Sequence, residues 1–239
     1  MFRFKNFSLS HEVSTLKIGT DSVLLASVVP VDGVQKLLDI GCGCGVITLC
    51  LADKMRTGSI SQQIIGIDID ESSIKESIRN KEQFPLGEHQ QIEFFHTSLQ
   101  NYAQESQTCF DLIVSNPPYF VNALKPHTPE LQKSKHRDNN LSFNDLIKYV
   151  DELLSENGNF YLILPPTEYE EFDLLAKSKW HLFCRWQIFP NPHKKMNRII
   201  AGYTKKDTEK PSFQDIYIRN EDNEFSVDYR RITSLFYLG

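Results

Sequence analysis

Residues Leu37 to Gly45 read LLDIGCGCG: an apolar run, Asp39 near its end, then glycine at 41, 43 and 45. The next stretch, Val46 to Arg56, has helical periodicity. A buried strand that stops in a glycine turn and leads directly into a helix narrows the choice of fold, since glycine permits a tight turn and brings bare backbone close to whatever binds there.

The rest of the chain repeats the alternation of short apolar runs with longer helical segments, the pattern of a parallel sheet covered on both faces. Strands are predicted at Val34–Ile40, Gln63–Asp68, Gln91–His96, Phe110–Ser115 and Asn159–Leu164, each apolar enough to be buried on both sides. Helices are predicted at Val46–Arg56, Glu71–Glu82 and Phe143–Asn157, the last capped by Ser142 and closed by Gly158. A further helix over Glu168–Ser178 precedes strands around Trp180–Phe189 and Arg198–Tyr203, the second pairing antiparallel. Ahead of the first strand, Thr20 or Asp21 can cap a helix through SVLLASVV, and residues 2–9 alternate like an edge strand or hairpin. The expected architecture is therefore α/β, an open seven-stranded sheet, mostly parallel with one antiparallel strand. At 239 residues it fits one domain: a short N-terminal cap over 1–33, a core over 34–205 and a C-terminal extension over 206–239.

Residues 120–140, FVNALKPHTPELQKSKHRDNN, stand outside this pattern and predict a long polar loop, of a length that compact domains reserve for function. No apolar run is long enough to span a bilayer and the first residues carry no signal-peptide pattern, so a cytoplasmic location is expected. The five cysteines, Cys42, Cys44, Cys50, Cys109 and Cys184, are odd in number, which predicts reduced thiols. No histidine stands at zinc-finger spacing from Cys42 and Cys44, and no metal is expected. The net charge of −5 leaves only local patches to meet a nucleic acid: Arg3 and Lys5; Lys133, Lys135, His136 and Arg137; Lys194, Lys195 and Arg198.

A dinucleotide turn would need glycine at position 46, which is Val46. An acid at this turn, Asp39, instead suits a cationic ligand such as the amino group and sulfonium of S-adenosylmethionine. Asp68 ends IIGIDID where an open sheet places an acid beside a cofactor's ribose, whereas Asp70 reads as the cap of the following helix. The run FDLIVSNPPYF puts Asn116, Pro117, Pro118 and Tyr119 on the same carboxyl edge. An exocyclic amine of adenine is a poor nucleophile because its lone pair is delocalised into the ring. Two acceptors, the Asn116 side-chain oxygen and the Pro117 carbonyl, would receive its N–H bonds and free that pair, with Tyr119 stacking on the base.

These motifs resemble class I methyltransferases with an Asn-Pro-Pro-aromatic turn, a Rossmann-like fold. More narrowly, FKNFSLSHEVSTLKIGTDSVLLASVV with LLDIGCGCGVITLCLA, IIGIDID, SNPPYF and the closing DYRRITSLFYLG is similar to the bacterial tRNA1(Val) (adenine-N6)-methyltransferase family. The resemblance implies S-adenosylmethionine as cofactor, S-adenosylhomocysteine as product and tRNA as partner, with methylation beside the valine tRNA anticodon and no obligate protein partner. It also assigns Gly41, Gly43, Gly45, Asp39 and Asp68, with Thr20, Asp21 and Ser98, to the cofactor side, and Asn116, Pro117 and Tyr119 to catalysis. Ser98 replaces an acid often seen after the third strand, and Ser134, Lys135, His136 replaces Ala-Arg-His, putting a point charge where a guanidinium fork would grip phosphate. Glutamine methylation, DNA methylation and a non-catalytic RNA-binding role stay open at this level. A glutamine amide also presents an NH₂ that Asn116 and Pro117 could grip, but such enzymes usually carry a separate N-terminal helical domain, and DNA methylation would call for a sizeable target-recognition domain.

Overall fold

The computed structural model describes residues 1–11, 18–117 and 141–237. Two short antiparallel strands, β1 (Phe2–Arg3) and β2 (Ser8–Leu9), form the expected N-terminal hairpin. After α1 (Thr20–Val28) come β3 (Lys36–Ile40), α2 (Val46–Met55), β4 (Gln62–Asp68), α3 (Glu71–Glu82), β5 (Gln90–His96), α4 (Leu99–Glu105) and β6 (Phe110–Ser115). The second half contains α5 (Phe143–Leu153), β7 (Leu154–Leu164), α6 (Pro166–Ala176), β8 (His181–Phe189), β9 (Arg198–Thr204), β10 (Ser212–Tyr217) and α7 (Val227–Thr233).

The strands β3 to β10 make one sheet in the order β10-β8-β9-β7-β6-β3-β4-β5. Only β9 runs antiparallel to its neighbours β7 and β8. The sheet has one more strand than the sequence predicts, because β10 adds in parallel to β8 at the edge. Its residues are mostly exposed, with Ile216 alone buried, so no apolar run marks it.

Period-two alternation sorts the strand residues to two apolar layers. Leu37, Ile64, Leu112 and Val114 meet α1, α2 and α3 on one face, while Leu38, Ile65, Ile67 and Ile113 meet α4, α5 and α6 on the other. The hairpin residues Phe4, Phe7 and Leu9 enter the first layer together with Tyr229 and Phe236. Lys5 N donates to Phe236 O at 2.7 Å, joining the two ends of the chain.

One boundary differs in kind. Ser142 caps α5 as predicted, its hydroxyl accepting from Asp145 N at 3.1 Å, but the helix ends at Leu153 instead of running to Asn157. Lys205 Nζ reaches across to donate to the carbonyls of Asp151 and Leu154 at 2.8 and 2.9 Å, satisfying groups that a helix end leaves open. Gly158 therefore lies inside β7, where a Cβ would come within 2.8 Å of Phe110 O. Glycine is needed there for close strand approach, not for helix termination.

Candidate active site

Strand register assembles the predicted features. Ile40 of β3 faces both Ile67 of β4 and Ser115 of β6, so the residues that follow, Gly41, Asp68 and Asn116, come together at the carboxyl edge. The chain leaves β3 toward β4 and returns on the other side as β6. Such a switch point is where open α/β sheets bind ligands.

The glycine turn is fastened to β4. Gly41 N and Cys42 N both donate to Ile67 O, at 2.9 and 3.0 Å, and Gly43 N donates to Asp68 Oδ2 at 2.8 Å. Gly41, Gly43 and Gly45 have φ of 73°, 55° and 83°, the left-handed region that L side chains disfavour. The first and last serve different ends. A Cβ on Gly41 would meet nothing within 4 Å, whereas one on Gly45 would come within 2.9 Å of Phe94 Cζ. Gly41 thus leaves open space against bare backbone, and Gly45 permits packing beneath it.

Asp39 is wholly buried below this turn. Its Oδ2 accepts from Thr48 N at 3.0 Å and from Thr48 Oγ1 at 2.6 Å, in the first turn of α2. The N-cap of α2 is Gly45, which has no side chain to offer, so Asp39 supplies the acceptor from β3. Its Oδ1 has no hydrogen-bond partner among the described residues. Burial pushes the carboxyl up to about 7, against the pull of the Thr48 bonds, with the Asp68 charge adding to the rise.

Asp68 is half-buried and uses each oxygen once, Oδ2 for Gly43 N and Oδ1 for Asp70 N at 2.9 Å. Carboxylate oxygens have further lone pairs to offer. Asp70 caps α3 as predicted, accepting from Ser72 N at 3.1 Å. Ser98 caps α4, accepting from Asn101 N at 3.1 Å, which gives its hydroxyl a structural partner at the same edge.

Two expectations are corrected at α1. Neither Thr20 nor Asp21 caps the helix: Gly19 occupies the N-cap and Asp21 lies in the first turn. Asp21 instead accepts from Arg198 Nε at 2.6 Å, a charged partner stronger than a helix amide. Arg198 is therefore tied into the fold, while Lys194, Lys195, Arg3 and Lys5 are exposed.

Asn116 is half-buried and its Nδ2 donates to Ser22 Oγ of α1 at 3.1 Å. Sequence reasoning missed Ser22, because a lone serine within an apolar helix carries no periodic signal. Ser115 Oγ donates to Ile40 O at 2.9 Å, binding the end of β6 to β3. Pro117 is buried. Pro118, Tyr119 and the basic group Lys133, Lys135, His136 and Arg137 lie outside the described residues. The cysteines are free thiols. Burial pushes the Cys44 thiol up to about 12.

An open, mostly parallel sheet of this connection order, with a glycine turn and an Asn-Pro turn at one switch point, has the architecture of the class I methyltransferases. A predicted O-methyltransferase of Agrobacterium tumefaciens superposes with a TM-score of 0.67 over 90% of this chain and 96% of its own, at 16% identity. The methyltransferase small domain model matches residues 8–170. Two proteins named tRNA1(Val) (adenine(37)-N6)-methyltransferase align with the whole chain. That of Yersinia enterocolitica is 31% identical, with 92% of its length covered, and that of Flavobacterium johnsoniae 30%, with 99% covered. The chain belongs to the tRNA1(Val) (adenine(37)-N6)-methyltransferase family.

Proposed function

We propose that this enzyme transfers a methyl group from S-adenosylmethionine to N6 of an adenine in tRNA, beside the anticodon of tRNA1(Val). The observation that carries the reading is the row of Gly41, Asp68 and Asn116 across three adjacent strands. It would set a cofactor site and an amine-binding site side by side.

The residues fit such a cofactor. Open space above Gly41 would admit its methionine end against bare backbone, and the remaining lone pairs of Asp68 would receive ribose hydroxyls. Asp39 fastens the first turn of α2 through Thr48 beneath the glycine turn, and we keep it on the cofactor side as the acid below that edge. Thr20 lies in the first turn of α1, Asp21 pairs with Arg198 and Ser98 caps α4, so we give these three the outer part of the site. When bound, S-adenosylmethionine supplies an electrophilic methyl group on a sulfonium.

The protein's part is to prepare the amine. With Nδ2 donating to Ser22, Asn116 keeps Oδ1 to accept one N–H, and the Pro117 carbonyl would accept the other. Proline fixes its own φ and offers no N–H to a neighbouring strand, so the backbone there is stiff and makes no donor bond to a ladder. Two acceptors draw the nitrogen toward a tetrahedral shape and restore its lone pair. Tyr119 would stack on the base, and the proton leaves to water after attack. We read residues 1–33, 34–205 and 206–239 as cap, core and extension of one domain, supported by Phe4, Phe7 and Phe236 sharing an apolar cluster with Leu37 and Ile64. No helix among the described residues is long and apolar enough to cross a membrane. A cytoplasmic location suits a tRNA substrate.

The test is single-turnover transfer of a labelled methyl group to saturating tRNA. Asn116→Ala should transfer about 10²–10³-fold more slowly with cofactor affinity preserved, as when one preorganised catalytic hydrogen bond is removed. Transfer at the wild-type rate would mean that the Asn-Pro-Pro-Tyr turn is structural.

A further inference from the structure

A primary amide has two unlike ends: an oxygen that accepts and a nitrogen that donates, exchanged by a half-turn with little change in shape. Only the oxygen can receive an N–H of an aromatic amine. Asn116 must therefore be held with its oxygen toward the substrate. The one hydrogen bond of that side chain among the described residues runs from Nδ2 to Ser22 Oγ at 3.1 Å.

Ser22 is well placed to hold that amide, because the helix that carries it is fastened at both ends. Near its start, Asp21 is paired with Arg198 of β9 at 2.6 Å. At its end, Lys54 Nζ of α2 donates to the carbonyls of Ala26, Ser27 and Val29 at 3.1, 3.1 and 2.5 Å. A helix leaves those carbonyls open, and an ammonium answers three at once. Val23, Leu24 and Leu25 are fully buried, and Ser22 itself is 7% exposed. Since α2 starts at the glycine turn, α1 is fixed to the helix that begins at the cofactor edge while its serine holds the amide of the substrate edge.

We propose that Ser22 is a positioning residue for methyl transfer: its hydroxyl accepts from Asn116 Nδ2 and so holds Oδ1 toward the adenine amine. This rests on reading Asn116 as the acceptor for that amine. It also gives a physical reason for a serine in a largely apolar helix, 94 residues before Asn116 in the chain yet at its amide in space.

The experiment compares Ser22→Ala, Ser22→Thr, Asn116→Ala and the Ser22→Ala/Asn116→Ala double variant, with cofactor affinity by calorimetry and single-turnover transfer to saturating tRNA. Losing one neutral hydrogen bond should slow Ser22→Ala by about tenfold. Cofactor affinity should not move, and Ser22→Thr, which keeps the hydroxyl, should recover most of the rate. The double variant should be no slower than Asn116→Ala, since the serine acts only through that amide. A slow Asn116→Ala beside a fully active Ser22→Ala would overturn the role of Ser22 and leave that of Asn116. A wild-type rate in Asn116→Ala would overturn both. Losses that multiply in the double variant, or a fall in cofactor affinity with Ser22→Ala, would show that serine acting through the fold and also overturn the proposal.

Discussion

Asp39→Asn should gain stability relative to the unsubstituted protein as the pH rises from 4 to 8. The carboxyl is fully buried and its folded-state value is lifted from 3.8 to about 7, first by burial. A raised carboxyl binds its proton more tightly in the folded chain. Its contribution to stability is thus full below about pH 4 and is lost as the pH climbs through 7. Three pH units correspond to about 4 kcal/mol across that window. Asparagine cannot ionise, and its oxygen can still accept from Thr48 N, so the variant lacks this slope. The assay is urea unfolding of both proteins from pH 4 to pH 8, followed by circular dichroism. Every other carboxyl is common to the two curves, so their difference isolates position 39. That difference should shift in favour of asparagine by about 4 kcal/mol between the two ends. Parallel curves would refute the reasoning, since they would require Asp39 to titrate alike in the folded and unfolded chains.

Asp68→Ala should weaken S-adenosylmethionine binding more than tenfold, because two hydrogen bonds to a charged acceptor are worth about 1.5–3 kcal/mol each at most; unchanged affinity by calorimetry would remove Asp68 from the site. Neutralising Lys133, Lys135 and Arg137 together should lower tRNA affinity and flatten its salt dependence by about 0.7 to 0.9 log unit per lost phosphate contact. An unchanged slope would mean that the RNA docks elsewhere.

What was legible in the sequence is what local chemistry decides. The bounds of β6 and α3 agree with expectation, because an apolar strand between turns and a helix capped by Asp70 declare themselves within a few residues. The glycine turn did so too, since three left-handed positions in five residues admit little else. The misses are settled by distant partners. The early end of α5 depends on Lys205, some fifty residues further on, and the first turn of α1 on Arg198, 177 residues from Asp21. β10 offers one buried side chain, and α4 is short and polar with only Leu99 buried, so neither has a periodic signal.

The same division applies to the candidate site. Asn116 and Asp68 could be picked out because residue type and position at a strand end limit what each can do. Their working state could not, because it is set by what touches them. Asp68 spends one lone pair on the turn it faces, and Asn116 spends its donor on a helix 94 residues earlier in the chain. Charge follows the same rule. In a chain of net charge −5 Arg198 is committed to Asp21, whereas Arg3, Lys5, Lys194 and Lys195 of the basic groups picked out in the sequence are exposed and would be the ones to meet phosphate. Counting basic residues along the sequence overstates that surface, since a guanidinium whose charge is met by a carboxylate at 2.6 Å attracts phosphate less than one facing water.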